Sequence, residues 1–503
     1  MEHREVVIIG AGISGIDAAC NIETKARGTD YVILEGREAI GGTWDLFRYP
    51  GIRSDSDMHT FSYGFRPWTK AKRLASAEDI RGYLADVVDE FGVREKIRFG
   101  HRIEKVEWDS ATSRWSITGT RADGGTFRMT TGFLVMATGY YNYQESYRPD
   151  FEGMSDFEGV VADPQFWPED LDYAGKKVAL IGSGATAVTI VPEMAKTAAH
   201  VTMIQRSPSY IYNWPVDDKS AARMMKYLPK ALGAKLVRTR NLLQNNAIFS
   251  LCRSYPKMMR RFFMKHMTGL LGGDRAYTEA HFNPRYNPWD QRLCSTSGND
   301  LFSSISAGKA SVRTDHIDRI TRNGIRLKSG EEVEADIIVP ATGLKVRFFG
   351  GMKMLCDGRE LRAGELISYR GLMFANVPNL LYFLGYTNNP WTVKADMAAH
   401  YLTRLLNRMR KTGDKVVVAE LDTGKVEAQP MLKMSSGYVQ RAASAMPKIG
   451  AGKPWTVYQN PFIDWFFIKK ARLNDGVLSF SKARPAPAAG IDERRDVAAI
   501  AAE

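Results

Sequence analysis

Two pairs of short apolar runs, each joined by a glycine-rich turn and a helical stretch, constrain the fold of this chain more than any other feature. The first pair is VVIIG and YVILE, with AGISGIDAACNIE between them. The second pair is KVALIG and HVTMIQRS, with SGATAVTIVPEMAKTA between them. A buried strand, a glycine turn, a helix and a second strand form the unit that binds dinucleotides in Rossmann-type folds. The sequence therefore predicts an α/β protein with two Rossmann-like dinucleotide-binding domains.

The first turn has the spacing Gly-x-Gly-x-x-Gly at Gly10, Gly12 and Gly15. The first glycine permits the tight turn, the second lets a pyrophosphate approach the backbone, and the third lets the helix pack closely on the strand. Glu35 ends the following strand, where a carboxylate can hold ribose hydroxyls. Because an acid there disfavours a 2′-phosphate, the first unit is predicted to bind FAD or NAD rather than NADP.

The second turn reads Gly182-x-Gly184-x-x-Ala187, and alanine in the last place still allows close packing. The strand that follows ends at Arg206 and Ser207 and has no acid. A guanidinium and a hydroxyl are suited to the 2′-phosphate of NADPH. The second unit is therefore predicted to bind NADPH, with a solvated charge at a strand end as the alternative interpretation of Arg206.

A third repeated element, a buried strand followed by Ala-Thr-Gly, divides the chain. It occurs as FLVMATGYY at 133–141 and as DIIVPATGLKV at 336–346, and we expect short interdomain linkers just after each copy. The predicted division is an FAD-binding domain at 1–145 and 346–503 with a mobile C-terminal tail after Arg484, an NADP-binding domain at 146–216 and 286–345, and a helical insertion at 217–285.

The net charge of +13 is concentrated in one segment, since residues 219–273 contain twelve Lys or Arg and no Asp or Glu. The chain contains no recognisable nucleic-acid-binding module, so nucleic acid is not an expected partner. The segment mixes its cations with Met, Leu and Phe in a partly amphipathic pattern. Two compatible interpretations are a Met-rich lid over an apolar substrate tunnel and a surface attracted to anionic lipid.

The remaining composition predicts where the protein resides. No apolar run reaches about 18 residues, which is the length a membrane-spanning helix requires. The N-terminus MEHRE is charged, and the four cysteines and eight histidines are scattered. These features predict a cytoplasmic protein without a metal site, with any peripheral membrane contact at the inner face through residues 219–273.

Five stretches together resemble the class B flavoprotein monooxygenases, in particular the Baeyer–Villiger monooxygenases. They are GAGISG, GGTWDLFRYPG, the two Ala-Thr-Gly stretches and GSGATAV. The stretches YPGIRSDSD, NPWDQRLC and HVTMIQRSPSYI are similar to the branch that contains the ethionamide-activating monooxygenases. The resemblance covers nearly the whole chain and implies FAD and NADPH as cofactors and O₂ as a co-substrate.

The resemblance also implies the site residues. Arg292 corresponds to the family's essential arginine and Asp55 to its carboxylate partner, although a structural salt bridge is the alternative for Arg292 taken alone. A fixed guanidinium would stabilise an anionic oxygen nucleophile that attacks a carbonyl. The predicted FAD contacts are Gly10, Gly12, Ser14, Gly15, Glu35, Gly42, Thr43, Trp44, Asp45, Arg53, Ser54, Asp55 and Ile103. The predicted NADP contacts are Gly182, Ser183, Gly184, Ala185, Thr186, Ala187, Val188, Arg206 and Ser207.

One position departs from the family pattern. The family signature FxGxxxHxxxW(P/D) runs here from Phe157 to Pro168, with Asp163 in place of the histidine. An ionised carboxylate only accepts hydrogen bonds, whereas a neutral imidazole can also donate one. The hydrogen bonding of the linker between the domains must therefore differ from that of the family.

The activity implied by the resemblance is insertion of one oxygen atom from O₂ into apolar or acyclic ketones, giving esters or lactones. Oxidation of sulfides and thioamides is implied as a second activity. Two alternatives stay open: an S- or N-oxygenating flavin monooxygenase, and a weakly catalytic NADPH oxidase or redox-sensing flavoprotein at the membrane. A disulfide reductase would need a redox cysteine pair, and no CxxC or CxxxxC is present.

Overall fold

The computed structural model describes residues 1–422, 426–432 and 437–482. The tail predicted to be mobile, after Arg484, lies outside the described residues.

The first part of the chain builds the first nucleotide unit. Its strands are β1 (Glu2–Ile9), β2 (Tyr31–Leu34), β3 (Ile97–Arg98), β4 (His101–Asp109), β5 (Arg114–Arg121) and β6 (Thr126–Met136). Its helices are α1 (Ile13–Lys25), α2 (Thr43–Leu46), α3 (Met58–Phe61) and α4 (Ala77–Glu90).

The middle of the chain builds the second unit and a group of helices beside it. Its strands are β7 (Val160–Val161), β8 (Lys177–Ile181), β9 (His200–Gln205), β10 (Ile211–Trp214), β11 (Cys294–Ser297), β12 (Ala310–Thr314), β13 (Ile317–Thr321), β14 (Gly324–Leu327), β15 (Glu332–Glu334) and β16 (Ile337–Pro340). Its helices are α5 (Ala185–Met194), α6 (Lys219–Tyr227), α7 (Lys230–Ser254), α8 (Pro256–Leu270), α9 (Arg275–His281) and α10 (Asp300–Ser306).

The last part of the chain returns to the first unit. Its strands are β17 (Lys353–Cys356), β18 (Arg359–Glu360), β19 (Ser368–Tyr369), β20 (Met373–Phe374), β21 (Leu380–Tyr382), β22 (Val416–Ala419), β23 (Ala428–Pro430), β24 (Lys448–Gly450) and β25 (Leu478–Ser481). Its helices are α11 (Trp391–Thr412), α12 (Gly437–Ala442) and α13 (Pro461–Asp464), and a π-helical turn (Trp465–Lys469) continues α13.

Two sheets organise the molecule. In the nine-stranded sheet, β1 lies between β2 and β6 and is parallel to both, and β17, β18 and β21 from the end of the chain join the same sheet. The five-stranded sheet has the order β12-β9-β8-β16-β7, and all of its strands are parallel. Parallel sheets with apolar strands covered by helices are typical of dinucleotide-binding folds. The predicted α/β class with two Rossmann-like units is confirmed.

Helix α11 shows why distant parts of the chain form one unit. It packs along α1, and both helices contribute to the largest apolar core, with Ile16 and Ala19 from α1 and Leu402 from α11 all buried. Helices α6 to α9 follow β10 and precede β11, and these two strands pair in parallel. Through this pairing the chain returns to the second unit after the group of helices. The segment before β11 therefore lies near the second glycine turn.

The repeated Ala-Thr-Gly element has the same structural role in both sheets. A Cβ atom on Gly10 would lie 2.6 Å from the carbonyl oxygen of Ala137, and a Cβ on Gly182 would lie 2.3 Å from that of Ala341. Gly10 has φ +105° and Gly182 has φ +140°, a region that side chains rarely adopt. Each glycine turn is therefore pressed against the end of a neighbouring strand.

Two glycine-to-alanine substitutions within helices distinguish the effect of close packing on stability from the effect of helix propensity. A Cβ on Gly15 of α1 would lie 1.9 Å from the carbonyl oxygen of Gly10, whereas a Cβ on Gly82 of α4 meets nothing within 4 Å. We expect Gly15→Ala to lower the free energy of unfolding by about 1–3 kcal/mol through overpacking. We expect Gly82→Ala to raise it by about 0.5–1 kcal/mol. Urea unfolding followed by circular dichroism measures both, and equal midpoints for the two variants would contradict the packing argument.

Candidate active site

One large cavity, of about 1080 Å³, lies between the two glycine turns. Most of the side chains predicted to bind cofactors surround it. From the first unit it is lined by Gly10, Gly12, Ser14, Glu35, Gly42, Thr43, Trp44, Arg53, Ser54, Asp55 and Ile103. From the second unit it is lined by Gly182, Ser183, Gly184, Ala185, Thr186, Arg206, Ser207 and Arg292.

Four predicted cofactor residues do not line this cavity. Gly15, Ala187 and Val188 are buried where each nucleotide helix packs on its sheet. The carboxylate of Asp45 accepts hydrogen bonds from Arg37 and Arg48, each at 2.6 Å. The side chain of Asp45 therefore fixes two arginines, of which Arg37 lines the cavity.

The first turn lies against a second glycine loop. A Cβ on Gly12 would be 3.6 Å from the Cα of Gly42, and a Cβ on Gly42 would be 3.2 Å from the Cα of Gly12. Gly42 also has φ +57°. Because neither position has a side chain, backbone amides of both loops can approach a pyrophosphate at the N-terminus of α1.

Glu35 is buried at the end of β2 and lines the same cavity. Its two carboxylate oxygens accept hydrogen bonds from the backbone N–H of Ala11 at 2.8 Å and of Arg37 at 2.9 Å. Burial raises the pKa of Glu35, while the two backbone donors act in the opposite direction. A carboxylate has about four acceptor positions, so Glu35 can hold ribose hydroxyls while it anchors the turn.

An aromatic wall of the cavity was missed by the sequence reasoning. Trp391 donates a hydrogen bond from Nε1 to the Oγ of Ser14 at 2.8 Å, and the ring of Tyr140 stacks on Trp391 at 5.6 Å. The hydroxyls of Thr43 and Tyr143 lie 3.2 Å apart, and burial raises the pKa of Tyr143 to about 12. The tyrosines that follow the first Ala-Thr-Gly were the available signal. Nothing in the sequence pairs Trp391 with Ser14.

The second turn is open where a phosphate would approach. A Cβ on Gly184 would meet nothing within 4 Å. The hydroxyl of Ser183 donates to the carbonyl of Ser207 at 2.9 Å and lies 3.1 Å from the hydroxyl of Ser209. Arg206 is exposed and belongs to the cavity lining. This arrangement presents a helix N-terminus, hydroxyls and a cation to one region of the cavity.

Arg292 and Asp55 form an ion pair that spans the two units. The Nη2 of Arg292 lies 2.9 Å from one carboxylate oxygen of Asp55 and 3.0 Å from the other. Arg292 also borders a smaller void whose walls include Leu384, Leu432 and Met446. The guanidinium is therefore held in orientation at the edge of the large cavity, beside apolar side chains.

The Tyr-Pro-Gly loop makes this pair possible. A Cβ on Gly51 would lie 3.0 Å from the Cβ of Glu193 and 3.1 Å from the carbonyl oxygen of Thr189, and both of these residues belong to α5. The loop of the first unit therefore rests on the nucleotide helix of the second. Asp55 lies four residues beyond Gly51, which places its carboxylate against Arg292.

Unpaired polar atoms in the cavity lining indicate what it can bind. The Nε and Nη2 atoms of Arg53 are buried without a hydrogen-bond partner, while its Nη1 contacts Asp300. The hydroxyl of Thr342 is also buried and unpaired. Buried donors without partners are unfavourable unless a ligand satisfies them. These donors fit a ligand rich in acceptor oxygens, such as a dinucleotide.

Asp163, which replaces the signature histidine, accepts several hydrogen bonds, two of them from side chains next to the first linker. It accepts hydrogen bonds from the backbone N–H of Gln165 and from the Nε of Arg148, each at 2.8 Å, and from the hydroxyl of Ser146. The amide of Gln165 in turn donates to the carbonyl oxygen of Asn142 at 2.7 Å. The linker is therefore built around an acceptor, as the chemistry of aspartate requires.

Within 1–422, 426–432 and 437–482, no cluster of three or more His, Cys, Asp or Glu is placed to hold a metal ion. No helix in the described part of the chain is long and apolar enough to cross a membrane. All four cysteines are free.

The family model described as pyridine nucleotide-disulphide oxidoreductase matches residues 7–221. The oxidized steroid monooxygenase bound to NADP superimposes with a TM-score of 0.74 at 20% identity, over 96% of this chain and 100% of that one. At 20% identity, this similarity shows that the two chains share a fold.

Two curated relatives match almost from end to end. The probable FAD-binding monooxygenase AlmA of Acinetobacter baylyi is 46% identical over 483 residues, which is 96% of this chain and 97% of the relative. The FAD-containing monooxygenase EthA of Mycobacterium tuberculosis is 44% identical over 489 residues, which is 97% of this chain and 99% of the relative. The family resemblance in the motifs is thus confirmed, and the chain belongs to the family of FAD-containing monooxygenases.

Proposed function

We propose that this protein binds FAD at the first glycine turn and NADPH at the second, and inserts one oxygen atom of O₂ into apolar ketones. The observation that carries the proposal is the Arg292–Asp55 ion pair, which forms between the two nucleotide units at the edge of the cavity they share. Relatives named as FAD-containing monooxygenases and a structural neighbour bound to NADP support the choice of cofactors.

The residues of each turn support this assignment of the two dinucleotides. Glu35 and the facing pair Gly12 and Gly42 suit a dinucleotide without a 2′-phosphate, because a carboxylate attracts ribose hydroxyls and repels phosphate. Arg206 and Ser207 suit a 2′-phosphate, since a guanidinium forms charge-assisted hydrogen bonds with phosphate oxygens. FAD therefore belongs to the first unit and NADPH to the second.

Arg292 supplies the electrostatic part of the chemistry. Reduced flavin, when bound, provides the electrons that activate molecular oxygen. A guanidinium that is permanently charged and held by Asp55 stabilises negative charge on the oxygen that attacks a carbonyl. Because the field is fixed before the reaction, little reorganisation is needed when the charge develops.

The apolar side of Arg292 supports the substrate class. Leu384, Leu432 and Met446 line the void next to the guanidinium, together with Tyr386. Apolar walls favour substrates that bury hydrocarbon and exclude water from the reacting oxygen. An apolar ketone, or an alkyl or aryl sulfide, suits apolar walls of this kind.

Product analysis tests the reaction. The purified protein is given NADPH, isotopically labelled oxygen gas and 2-decanone, and the products are separated by mass spectrometry. We expect an ester with one labelled oxygen atom and about one NADPH consumed per ester. Hydrogen peroxide without ester would instead support an oxidase or redox sensor. Oxidation of methyl p-tolyl sulfide but of no ketone would support an S-oxygenating enzyme.

Removal of the guanidinium tests the role of Arg292. We expect Arg292→Ala to lower kcat for ester formation by about 10²–10³-fold, the usual cost of losing one preorganised charge-stabilising group. We expect NADPH oxidation to continue with release of hydrogen peroxide. Arg313→Ala is a matched control, because this arginine is also ion-paired, to Glu331 at 2.6 Å, and does not line the cavity. Equal losses in both variants would exclude the proposed role.

The role of Arg206 in binding the 2′-phosphate is tested by comparing NADPH and NADH in one variant. We expect Arg206→Ala to raise the KM for NADPH by about 10–100-fold, because charge-assisted hydrogen bonds to the 2′-phosphate are lost. The KM for NADH is expected to stay within about twofold, since NADH has no 2′-phosphate. Steady-state kinetics with each coenzyme measures this, and a parallel rise in both KM values would show that Arg206 contacts another part of the ligand.

A further inference from the structure

The longest helix of the basic segment presents apolar side chains to solvent. On α7, the side chains of Leu232, Leu236 and Leu243 are exposed, and Leu243 is 54% exposed. Their spacing of four and seven residues places all three on one face of the helix. An exposed leucine row on a 25-residue helix is unusual for a helix that is surrounded only by water.

The neighbouring helix repeats this pattern with cations beside it. On α8, Met258 and Phe262 are exposed, and Lys257, Arg261 and Lys265 form an exposed row next to them. The opposite face of α8, with Phe263 and Met267 among its residues, is buried against the second unit. The basic segment therefore exposes apolar and cationic side chains together and holds them on a fixed support.

A second element, from the end of the chain, has the same composition. α13 and the π-helical turn expose Phe462, Ile463, Trp465 and Phe466, and Phe466 is 69% exposed. Within residues 461–472 the only acid is Asp464, which is 1% exposed because it points into the core and accepts a hydrogen bond from Tyr386 at 2.7 Å. Lys469, Lys470 and Arg472 follow.

Hydrogen bonds connect these two elements. The amide of Asn246 on α7 donates to Asn389 at 3.2 Å, and Asn389 donates to Asn388 at 3.1 Å. Asn388 donates to the carbonyl oxygen of Gln459 at 2.7 Å, two residues before α13 begins. We call the exposed faces of α7, α8 and the α13 turn the apolar–basic surface. Since Asn389 also lines the large cavity, this surface adjoins the active site.

Anchoring of α7 keeps the surface in place. Arg238 donates hydrogen bonds to the carbonyl oxygens of Thr60 at 3.0 Å and Ser62 at 2.7 Å, and its guanidinium pairs with Asp396 at 3.2 Å. Asn241 donates to Asp57 at 2.7 Å. The inner face of α7 is thus bonded to the first unit, so the exposed leucines belong to a docked helix.

We propose that the apolar–basic surface binds the surface of an anionic phospholipid bilayer. Residues 219–273 contain no acid, and the exposed row of Lys257, Arg261 and Lys265 complements anionic headgroups. Exposed Leu, Met, Phe and Trp side chains between these cations can enter the boundary between headgroups and acyl chains. The occupant is a lipid surface because exposed apolar side chains stand beside exposed cations on both α8 and the α13 turn, which suits shallow insertion among anionic headgroups.

Vesicle sedimentation tests this inference with the FAD-loaded full-length protein. The probes are vesicles of phosphatidylcholine alone and of phosphatidylcholine with phosphatidylglycerol. We expect the protein to sediment with the anionic vesicles, to stay in solution with the neutral ones, and to dissociate at high salt. We expect Lys257→Gln/Arg261→Gln/Lys265→Gln to reduce the partition coefficient at least about tenfold, because each cation near a membrane contributes to binding.

Two further variants complete the test. Leu236→Ser/Leu243→Ser is expected to weaken vesicle binding even at low salt, because the inserted apolar groups are lost. Lys176→Gln/Lys309→Gln/Lys328→Gln removes three exposed cations of the second unit as a matched control and is expected to bind like the parent protein. NADPH oxidation in solution is expected to be unchanged in all three variants.

Several outcomes would overturn the inference. They are equal binding to neutral and anionic vesicles, no binding to either, an equal loss in the control variant, and a wild-type dimer that Leu236→Ser/Leu243→Ser converts to a monomer without any vesicle binding. Because vesicle binding is measured without turnover, its failure is distinguishable from failure of the proposed oxygenase activity.

Discussion

The close approach of a glycine turn to the end of a neighbouring strand is the constraint on which the rest of this structure depends. It occurs once in each sheet, between Gly10 and Ala137 and between Gly182 and Ala341. A Cβ at either glycine would collide with a backbone carbonyl, which cannot move without disturbing its strand. The contact orients each nucleotide helix so that its N-terminus faces the common cavity, where it can bind a phosphate.

The candidate active site is shared between the two sheets. Asp55 comes from a loop of the first unit, and Arg292 precedes a strand of the second. The loop rests on α5 through Gly51, while Asp163 binds donors from the linker. The carboxylate of Asp163 acts only as a hydrogen-bond acceptor there, so aspartate at this position has a structural role of its own. Such a shared site suits a reaction in which electrons pass from one dinucleotide to the other.

The sequence predicted the parts that depend on local patterns. Glycine spacing and apolar strand runs identify both nucleotide units, because dinucleotide binding imposes these residues at fixed separations. The sequence did not predict contacts between residues that are far apart in the chain. Examples are Ser14 with Trp391 and Arg238 with the segment around Thr60. Such contacts depend on how α11 and α7 pack, which periodicity does not determine. The pair of Asp55 and Arg292 was predicted only through family resemblance, since its two members are far apart in sequence.

The cross-unit ion pair has a consequence for the orientation of the Arg292 guanidinium. An arginine bonded to a carboxylate within its own sheet would keep its orientation whatever the other sheet did. Here the two atoms in contact belong to different units and lie 2.9 Å apart. A rotation that separates the sheets by the width of one water molecule would release the guanidinium from its partner. The direction in which this guanidinium points therefore depends on the angle between the two sheets.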